Sequence, residues 1–148
     1  MSDDTLTKTD AKPMPATIVV AEDSDPNRQI LCLLLRRLGF AVIECTDGAL
    51  AWKALQETPG CNIVGVVSDL MMPNMDGMEF LRHVRSDEKT ATLPFVLVTA
   101  VSDRDYVFEA KNLKVDGYIL KPVTFARVEA KMKALFPNHR FPATQRLA

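Results

Sequence analysis

Continuous apolar runs alternate with amphipathic stretches along most of this chain, and this alternation limits the fold more than any other feature. Five runs are typical of strands: TIVVA, FAVIEC, NIVGVVS, PFVLVTA and GYILK. Each run precedes a stretch in which apolar residues recur with a helical period. The runs are continuous rather than apolar–polar alternations, which indicates strands buried on both faces. The pattern predicts five strand–helix units that form a parallel sheet covered by helices on both sides.

The order of the strands follows from the handedness of their connections. Right-handed crossovers leave few topologies for such a sheet. We expect an α/β, flavodoxin-like, doubly wound five-stranded parallel sheet of order 2-1-3-4-5 with five helices in a single domain. The two ends carry prolines and no hydrophobic period. The predicted organisation is therefore a flexible arm at 1–16, a folded domain at 17–136 and a C-terminal tail at 137–148.

Local signals place the helix ends and faces. Pro26 falls in the first turn of the first helix and Gly39 at its end. Asp47 and Asp76 are predicted to cap the second and third helices, and His139, in the predicted tail, is expected to have no neighbours that form a site. The spacing predicts one buried face for the first helix, formed by Ile30, Leu31, Leu34, Leu35 and Leu38.

Composition narrows the functional classes. The 148 residues carry a formal net charge of -1, which argues against a dedicated surface for nucleic acid or anionic membranes. No apolar run approaches the roughly 20 residues that span a bilayer, and the polar N-terminus does not resemble a secretory signal. Cys32, Cys45 and Cys61 show no metal-ligand spacing and are expected to be small buried or semi-buried residues. We expect a cytoplasmic protein.

Polar side chains follow four of the predicted strands. Glu22 and Asp23 end the first strand, Asp69 ends the third, Thr99 the fourth and Lys121 the fifth. Each residue alone has an ordinary interpretation as a helix cap, a turn acid or a strand end. In an open parallel sheet, however, the carboxyl edge beside the point where strand order reverses is where ligands bind. The arrangement therefore predicts that these groups meet in one site.

The chemistry of this set favours a metal ion and a phosphoryl group. Close carboxylates raise one another's pKa values, and a hard divalent cation removes this conflict. Asp23 and Asp69 suit direct coordination of Mg²⁺, and Glu22 suits contact through water. The Lys121 ammonium supplies a second positive charge and the Thr99 hydroxyl a hydrogen-bond donor. Such a set suits phosphoryl transfer onto Asp69.

Four sequence blocks resemble the signature blocks of response-regulator receiver domains of two-component signalling. They are VVAEDS, VVSDLMMPNMDG, VLVTA and GYILKPV, in the order and spacing of that family. The resemblance covers about 17–136. It implies that Asp69 accepts a phosphoryl group from a phosphohistidine of a sensor histidine kinase or phosphotransfer protein. It also implies Mg²⁺ (or Mn²⁺) held by Asp23, Asp69 and the backbone carbonyl of Met71, with Glu22 in the outer shell.

The resemblance further implies a switch. Thr99 and Lys121 would contact the phosphoryl oxygens, and Thr99 would move towards them. Tyr118 would then change rotamer, and the protein-binding face formed by the fourth helix, fifth strand and fifth helix would change shape as a two-state population shift. The Lys121–Pro122 bond is expected to be cis.

Three departures from the family pattern have consequences. Glu22 stands where the family often has an aspartate, a tolerated variant. Met71 and Val101 flank the expected phosphoryl site, and neither side chain can orient an attacking water, so we expect slow self-dephosphorylation. The fourth helix lacks a terminal glycine, so Asn112 or Lys114 is expected to adopt the left-handed conformation there.

We expect a stand-alone phosphoacceptor switch rather than an enzyme with a separate substrate, since no residues remain after about 136 for an output domain. Its expected partners are a kinase or phosphotransfer protein and a downstream protein, with no nucleic acid or membrane, as a monomer or a phosphorylation-dependent dimer. One alternative is a phosphohydrolase of the haloacid dehalogenase type, which Met71 disfavours because those enzymes carry a second acid there. Another is a scaffold that is never phosphorylated, disfavoured by the presence of Asp23, Asp69, Thr99 and Lys121.

Overall fold

The computed structural model describes residues 14–57, 61–100 and 104–143. Within these ranges five strands alternate with five helices. In chain order they are β1 (Ala16–Ala21), α1 (Asp25–Arg37), β2 (Ala41–Cys45), α2 (Gly48–Glu57), β3 (Asn62–Asp69), α3 (Gly77–Ser86), β4 (Phe95–Thr99), α4 (Arg104–Asn112), β5 (Gly117–Leu120) and α5 (Phe125–Leu135).

The five strands form one sheet of order β2-β1-β3-β4-β5, and every neighbouring pair is parallel. This confirms the predicted flavodoxin-like fold. β1 and β3 are neighbours because the strand order reverses beside β1. In the register of these strands Ala21 pairs with Ser68, and Asp69 pairs with Val98 of β4. The residues that follow β1 and end β3 therefore lie side by side at the carboxyl edge.

The sheet is buried on both faces, as the continuous apolar runs predict. Ile18 and Val20 of β1 pack into one layer with α1 and α5, whereas Val19 and Ala21 pack into the other with α2, α3 and α4. Successive strand residues point to opposite faces, so one strand contributes to both layers. The two layers hold the carboxyl edge of the sheet in a fixed shape.

Helix ends agree with the predicted caps. Asp47 Oδ1 accepts a hydrogen bond from the backbone N–H of Leu50 (2.9 Å), and Asp76 Oδ1 accepts one from Glu79 (2.9 Å). Each carboxylate thus satisfies a backbone donor that has no partner within its helix. After α4, Lys114 has φ 57°, so Lys114 adopts the expected left-handed conformation.

The predicted buried face of α1 is wrong for Ile30, whose exposed fraction is 48%. At about 100° per residue, Ile30 lies about 90° from the centre of the arc formed by its partners. The sheet covers only the central part of that arc, which contains Leu31, Leu34, Leu35 and Leu38. Ile30 therefore faces outward beside the carboxyl edge of the sheet.

Part of the predicted C-terminal tail packs against the domain. The His139 ring stacks on Phe40 with 3.9 Å between ring centroids, and His139 Nε2 donates to the Leu38 carbonyl (2.9 Å). Phe141 packs edge-on against both rings. The sequence did not predict this packing, because a segment without secondary structure carries no hydrophobic period even where it packs.

Other expectations have mixed outcomes. Cys32 and Cys45 are buried, but Cys61 is exposed, so that prediction is wrong for Cys61. Of the predicted arm, Ala16 begins β1, and residues 1–13 lie outside the described residues. In the described part of the chain, every helix is too short or too polar to cross a bilayer.

Candidate functional site

Three carboxylates meet at the carboxyl edge of the sheet. Glu22 and Asp23 directly follow β1, and Asp69 is the last residue of the neighbouring β3. One carboxylate oxygen from each lies within 4.8 Å of the other two. Glu22 and Asp69 are only 3% and 4% exposed, whereas Asp23 is open to solvent. The predicted convergence of these side chains is therefore confirmed.

Lys121 brings a positive charge to this cluster. It directly follows β5, and its Nζ lies 2.8 Å from Asp69 Oδ1. The contact is close enough for charge pairing. The backbone N–H of Lys121 donates to the Thr99 carbonyl (2.8 Å), and the Lys121–Pro122 bond is cis, as expected.

Burial disfavours the ionised forms of the two buried carboxyls of the site, Asp69 and Glu22. Burial raises the pKa of the Asp69 carboxyl above its ordinary value, and the charge of Lys121 opposes this effect. Burial also raises the pKa of Glu22 from 4.5 to about 7. A hydrogen bond from the backbone N–H of Ser24 to Glu22 Oε2 (3.0 Å) lowers that pKa, and the charge of Asp69 raises it. Desolvation is the dominant cause at both carboxyls.

The donor set fits a hard divalent cation. Three carboxylates face one ammonium group, so the cluster carries an excess of negative charge when all are ionised. Carboxylate oxygens within a few ångströms of one another are the ligands that Mg²⁺ and Mn²⁺ take in proteins. Glu22, Asp23 and Asp69 therefore form a candidate metal site.

Thr99 and Tyr118 lie on adjacent strands near this cluster. Thr99 is buried at the end of β4, one residue beyond the Val98 that pairs with Asp69. Tyr118 pairs with Leu97 of β4 and is half-buried in the same core layer as Leu97. Because residues two apart in a strand share a face, Thr99 and Tyr118 lie on the same face of the sheet.

The remaining predicted residues belong to loops. Met71, in the loop after β3, is 56% exposed. Val101 lies outside the described residues.

Hydrogen bonds that the sequence did not predict join this loop to α2. Asn74 Nδ2 donates to Asp47 Oδ2 (2.7 Å), and the backbone N–H of Gly48 donates to the Met75 carbonyl (3.0 Å). The paired side chains are 27 positions apart. The short runs TDG and PNMDG contain these two residues, but only the fold brings them together, at the edge of the sheet where β2 and β3 lie on either side of β1.

A pocket of about 170 Å³ lies directly beside the carboxylate cluster. Its lining combines two charged side chains of the site with polar and apolar groups of α1 and of the segment after β5: Glu22, Asn27, Ile30, Lys121, Pro122 and Val123. The outward position of Ile30 thus gives the site an apolar rim.

The fold and the site together define a class of protein. It is a flavodoxin-like α/β protein with an acidic candidate metal site and a lysine at the carboxyl edge of the sheet, beside the point where the strand order reverses. Comparison with known sequences makes this specific. The sequence profile of the response regulator receiver domain matches residues 18–133, and the chain belongs to that family.

Two curated relatives cover most of the chain. Chemotaxis protein CheY of Pseudomonas aeruginosa is 38% identical over 120 residues, which are 80% of this chain and 94% of that protein. Chemotaxis protein CheY-3 of Vibrio cholerae is 36% identical over 120 residues, which are 80% of this chain and 90% of that protein. This protein is therefore a CheY-like receiver domain, a type of domain that acts in phosphorylation-driven two-component signalling.

Solved structures share the fold. CheY4 of Vibrio cholerae superposes with a TM-score of 0.74 at 24% identity, covering 83% of this chain and 99% of that one. The receiver domain of a sensor histidine kinase from Pseudomonas aeruginosa gives a TM-score of 0.73 at 21% identity and covers 83% of this chain and 98% of that one. That second structure holds a magnesium ion coordinated in its active-site cleft.

Proposed function

We propose that this protein is a Mg²⁺-dependent phosphoacceptor switch in which Asp69 takes a phosphoryl group from a phosphohistidine of a sensor histidine kinase or phosphotransfer protein. The observation that carries the proposal is the environment of Asp69. Its carboxylate is buried, pairs with Lys121 at 2.8 Å and has ligand atoms of Glu22 and Asp23 within 4.8 Å. A buried acid with these neighbours suits a nucleophile better than a structural cap.

The transfer is a single displacement at phosphorus. One carboxylate oxygen of Asp69 attacks, so that an O–P bond forms while the N–P bond of the phosphohistidine breaks. The histidine nitrogen leaves with the electron pair and takes up a proton from solvent. Lys121, which neutralises Asp69 before transfer, then pairs with a phosphoryl oxygen. The burial of Asp69 keeps water away from its carboxylate and strengthens both charge interactions.

A divalent cation completes the charge balance of this site. Asp23, Asp69 and the backbone carbonyl of Met71 would hold it, with Glu22 contacting it through water. When bound, Mg²⁺ or Mn²⁺ supplies positive charge opposite the oxygens of the phosphoryl group. The candidate metal site and the family membership support this assignment. A receiver domain of the same fold holds a magnesium ion in its active-site cleft.

Thr99 and Tyr118 would turn phosphorylation into a change of surface. The Thr99 hydroxyl, buried at the edge of the site, donates to a phosphoryl oxygen once that group is present. Tyr118 shares its face of the sheet and adjusts its rotamer as Thr99 moves. The face formed by α4, β5 and α5 carries exposed Tyr106, Phe108 and Leu120, which suit a protein target or a second phosphorylated copy.

The pocket beside Lys121 is the docking place we propose for the phosphodonor. Its apolar rim at Ile30 borders the acceptor site without blocking it. A partner helix that carries the phosphohistidine would bury Ile30 while its imidazole reaches Asp69. A small donor such as acetyl phosphate needs no such contact.

Met71 and Val101 would set the lifetime of the phosphorylated state. Neither side chain has a group that accepts a proton from water or orients it for attack at phosphorus. We therefore propose slow loss of the phosphoryl group. The protein catalyses only its own phosphorylation and this slow reversal, and it acts in the cytoplasm.

Incubation with acetyl phosphate and Mg²⁺ tests the proposed function. The proposal predicts labelled protein at one phosphoryl group per chain, with little free phosphate beyond the decay of acetyl phosphate alone. The Asp69→Asn variant is the control and should remain unlabelled. Catalytic release of phosphate would instead indicate a phosphohydrolase, and absence of any label would indicate a scaffold.

A further inference from the structure

The loop at 70–76, which follows the proposed phosphoacceptor, is held close to the sheet at both ends. The N–H of Leu70 donates to the Val98 carbonyl (3.3 Å), and the N–H of Gly77 donates to the Leu70 carbonyl (2.8 Å). A Cβ atom at Gly77 would overlap the Asp69 carbonyl oxygen. The start of α3 therefore packs directly on the backbone of Asp69, and the ends of the loop have little freedom.

The apex of the loop is tied by side chains as well as backbone. Asn74 has φ 67°, in the left-handed region that asparagine enters more readily than most residues. Its Nδ2 donates to Asp47 Oδ2 at 2.7 Å. Next to it, the Met75 carbonyl accepts from the N–H of Gly48 at 3.0 Å, and a Cβ at Gly48 would lie only 2.5 Å from that carbonyl oxygen. The apex thus sits on the first turn of α2.

Asp47 is itself fixed and can serve as an anchor. It is 6% exposed, and its second carboxylate oxygen, Oδ1, caps α2 by accepting from Leu50. One oxygen therefore holds the helix and the other holds Asn74. A hydrogen bond from an amide to an ionised, buried carboxylate belongs to the stronger class of protein hydrogen bonds.

We propose that the Asp47–Asn74 hydrogen bond is a positioning device for the divalent-cation site. The inference rests on the proposed function, in which the Met71 carbonyl is a metal ligand. Met71 lies between the anchored Leu70 and the anchored Asn74, so the orientation of its carbonyl depends on both anchors. Without the second anchor the loop must be ordered when the cation binds, which weakens binding. Removing groups that orient metal ligands lowers affinity by about 10–100-fold in known sites.

The test measures binding of Mn²⁺, followed through the electron paramagnetic resonance signal of the free ion, with Mg²⁺ as competitor. Asn74→Gly removes the side-chain hydrogen bond and keeps a residue suited to positive φ. Asp47→Ser keeps a hydroxyl oxygen that can cap α2 but has no second oxygen to accept from Asn74. We expect each variant to bind Mn²⁺ about tenfold more weakly. The double variant should bind no more weakly than either single variant, because one interaction is lost in all three.

A control variant and a second measurement distinguish positioning of the metal site from a general effect on stability. Thr124→Ala removes the cap of α5, where Thr124 Oγ1 accepts from the N–H of Arg127 (3.2 Å), in a segment that contributes no residue to the loop. It should lower stability without changing Mn²⁺ affinity. In cation-free protein, amide hydrogen exchange at 70–76 should accelerate in Asn74→Gly and not in Thr124→Ala.

Each outcome decides the question. Wild-type affinity in Asn74→Gly, or an equal loss in Thr124→Ala, would overturn the inference and leave the proposed function intact. If wild-type protein binds no Mn²⁺, the proposed function fails, and the inference fails with it.

Discussion

Glu22 offers a quantitative test of the carboxylate cluster. It is 3% exposed, and burial raises its pKa from 4.5 to about 7. Each pKa unit corresponds to 1.36 kcal/mol, so ionised Glu22 lowers the folding stability of the cation-free protein by about 3 kcal/mol. The pKa of Glu22 is higher in the folded protein than in the unfolded chain. The contribution of neutral Glu22 to stability is therefore fully present below pH 4.5 and is lost as pH rises through 7. Glu22→Gln removes the titration and keeps an oxygen that can accept from Ser24.

The assay is urea unfolding followed by circular dichroism, in EDTA, at pH 5 and pH 8. We expect Glu22→Gln to exceed wild type in free energy of unfolding by up to about 3 kcal/mol at pH 8 and by much less at pH 5. Glu88→Gln changes an exposed glutamate and is the matched control, with little effect at either pH. Saturating Mg²⁺ should reduce the advantage, since the cation stabilises the ionised cluster of wild type. An advantage that is absent at pH 8, or equal at both pH values, would refute the reasoning.

Three further predictions address docking of the phosphodonor, the lifetime of the phosphorylated state and the stability of the fold. Ile30→Asp should slow transfer from a phosphohistidine donor by about tenfold without changing labelling by acetyl phosphate, and equal slowing with both donors would contradict the docking proposal. Combined Met71→Asn and Val101→Glu should shorten the decay time of the phosphorylated protein, and a decay equal to or slower than wild type would reject the role given to these positions. The Arg85 guanidinium donates to four backbone carbonyls and one carboxylate. Arg85→Ala should therefore lower the free energy of unfolding by about 3 kcal/mol. A loss below about 1 kcal/mol in urea unfolding would contradict a stabilising role for these hydrogen bonds.

The sheet and the convergence of the site could be predicted because their signals are local. A strand buried on both faces needs a continuous apolar run, and a ligand edge needs polar residues directly after such runs. Glu22, Asp69 and Lys121 each follow a run of this kind. Once the runs are recognised as a parallel sheet, few topologies remain, and the usual one brings the carboxylates together.

What the sequence did not predict depends on contacts between distant segments. The Asp47–Asn74 hydrogen bond joins residues 27 positions apart, and His139 reaches a carbonyl 101 positions away. Neither contact leaves a periodic pattern. The helical period of α1 includes Ile30, but periodicity does not say how wide an arc the sheet covers. The width of the buried face is a property of packing rather than of the helix.

The central claim is that Asp69 carries the phosphoryl group, and chemical trapping tests it at the level of the residue. After incubation with acetyl phosphate and Mg²⁺, borohydride reduces an aspartyl phosphate to homoserine, which peptide mass spectrometry locates. The account predicts homoserine at position 69 alone, its loss when EDTA replaces Mg²⁺, and none in Asp69→Asn. Homoserine at another aspartate, or an unmodified Asp69 in protein that is demonstrably phosphorylated, would contradict it.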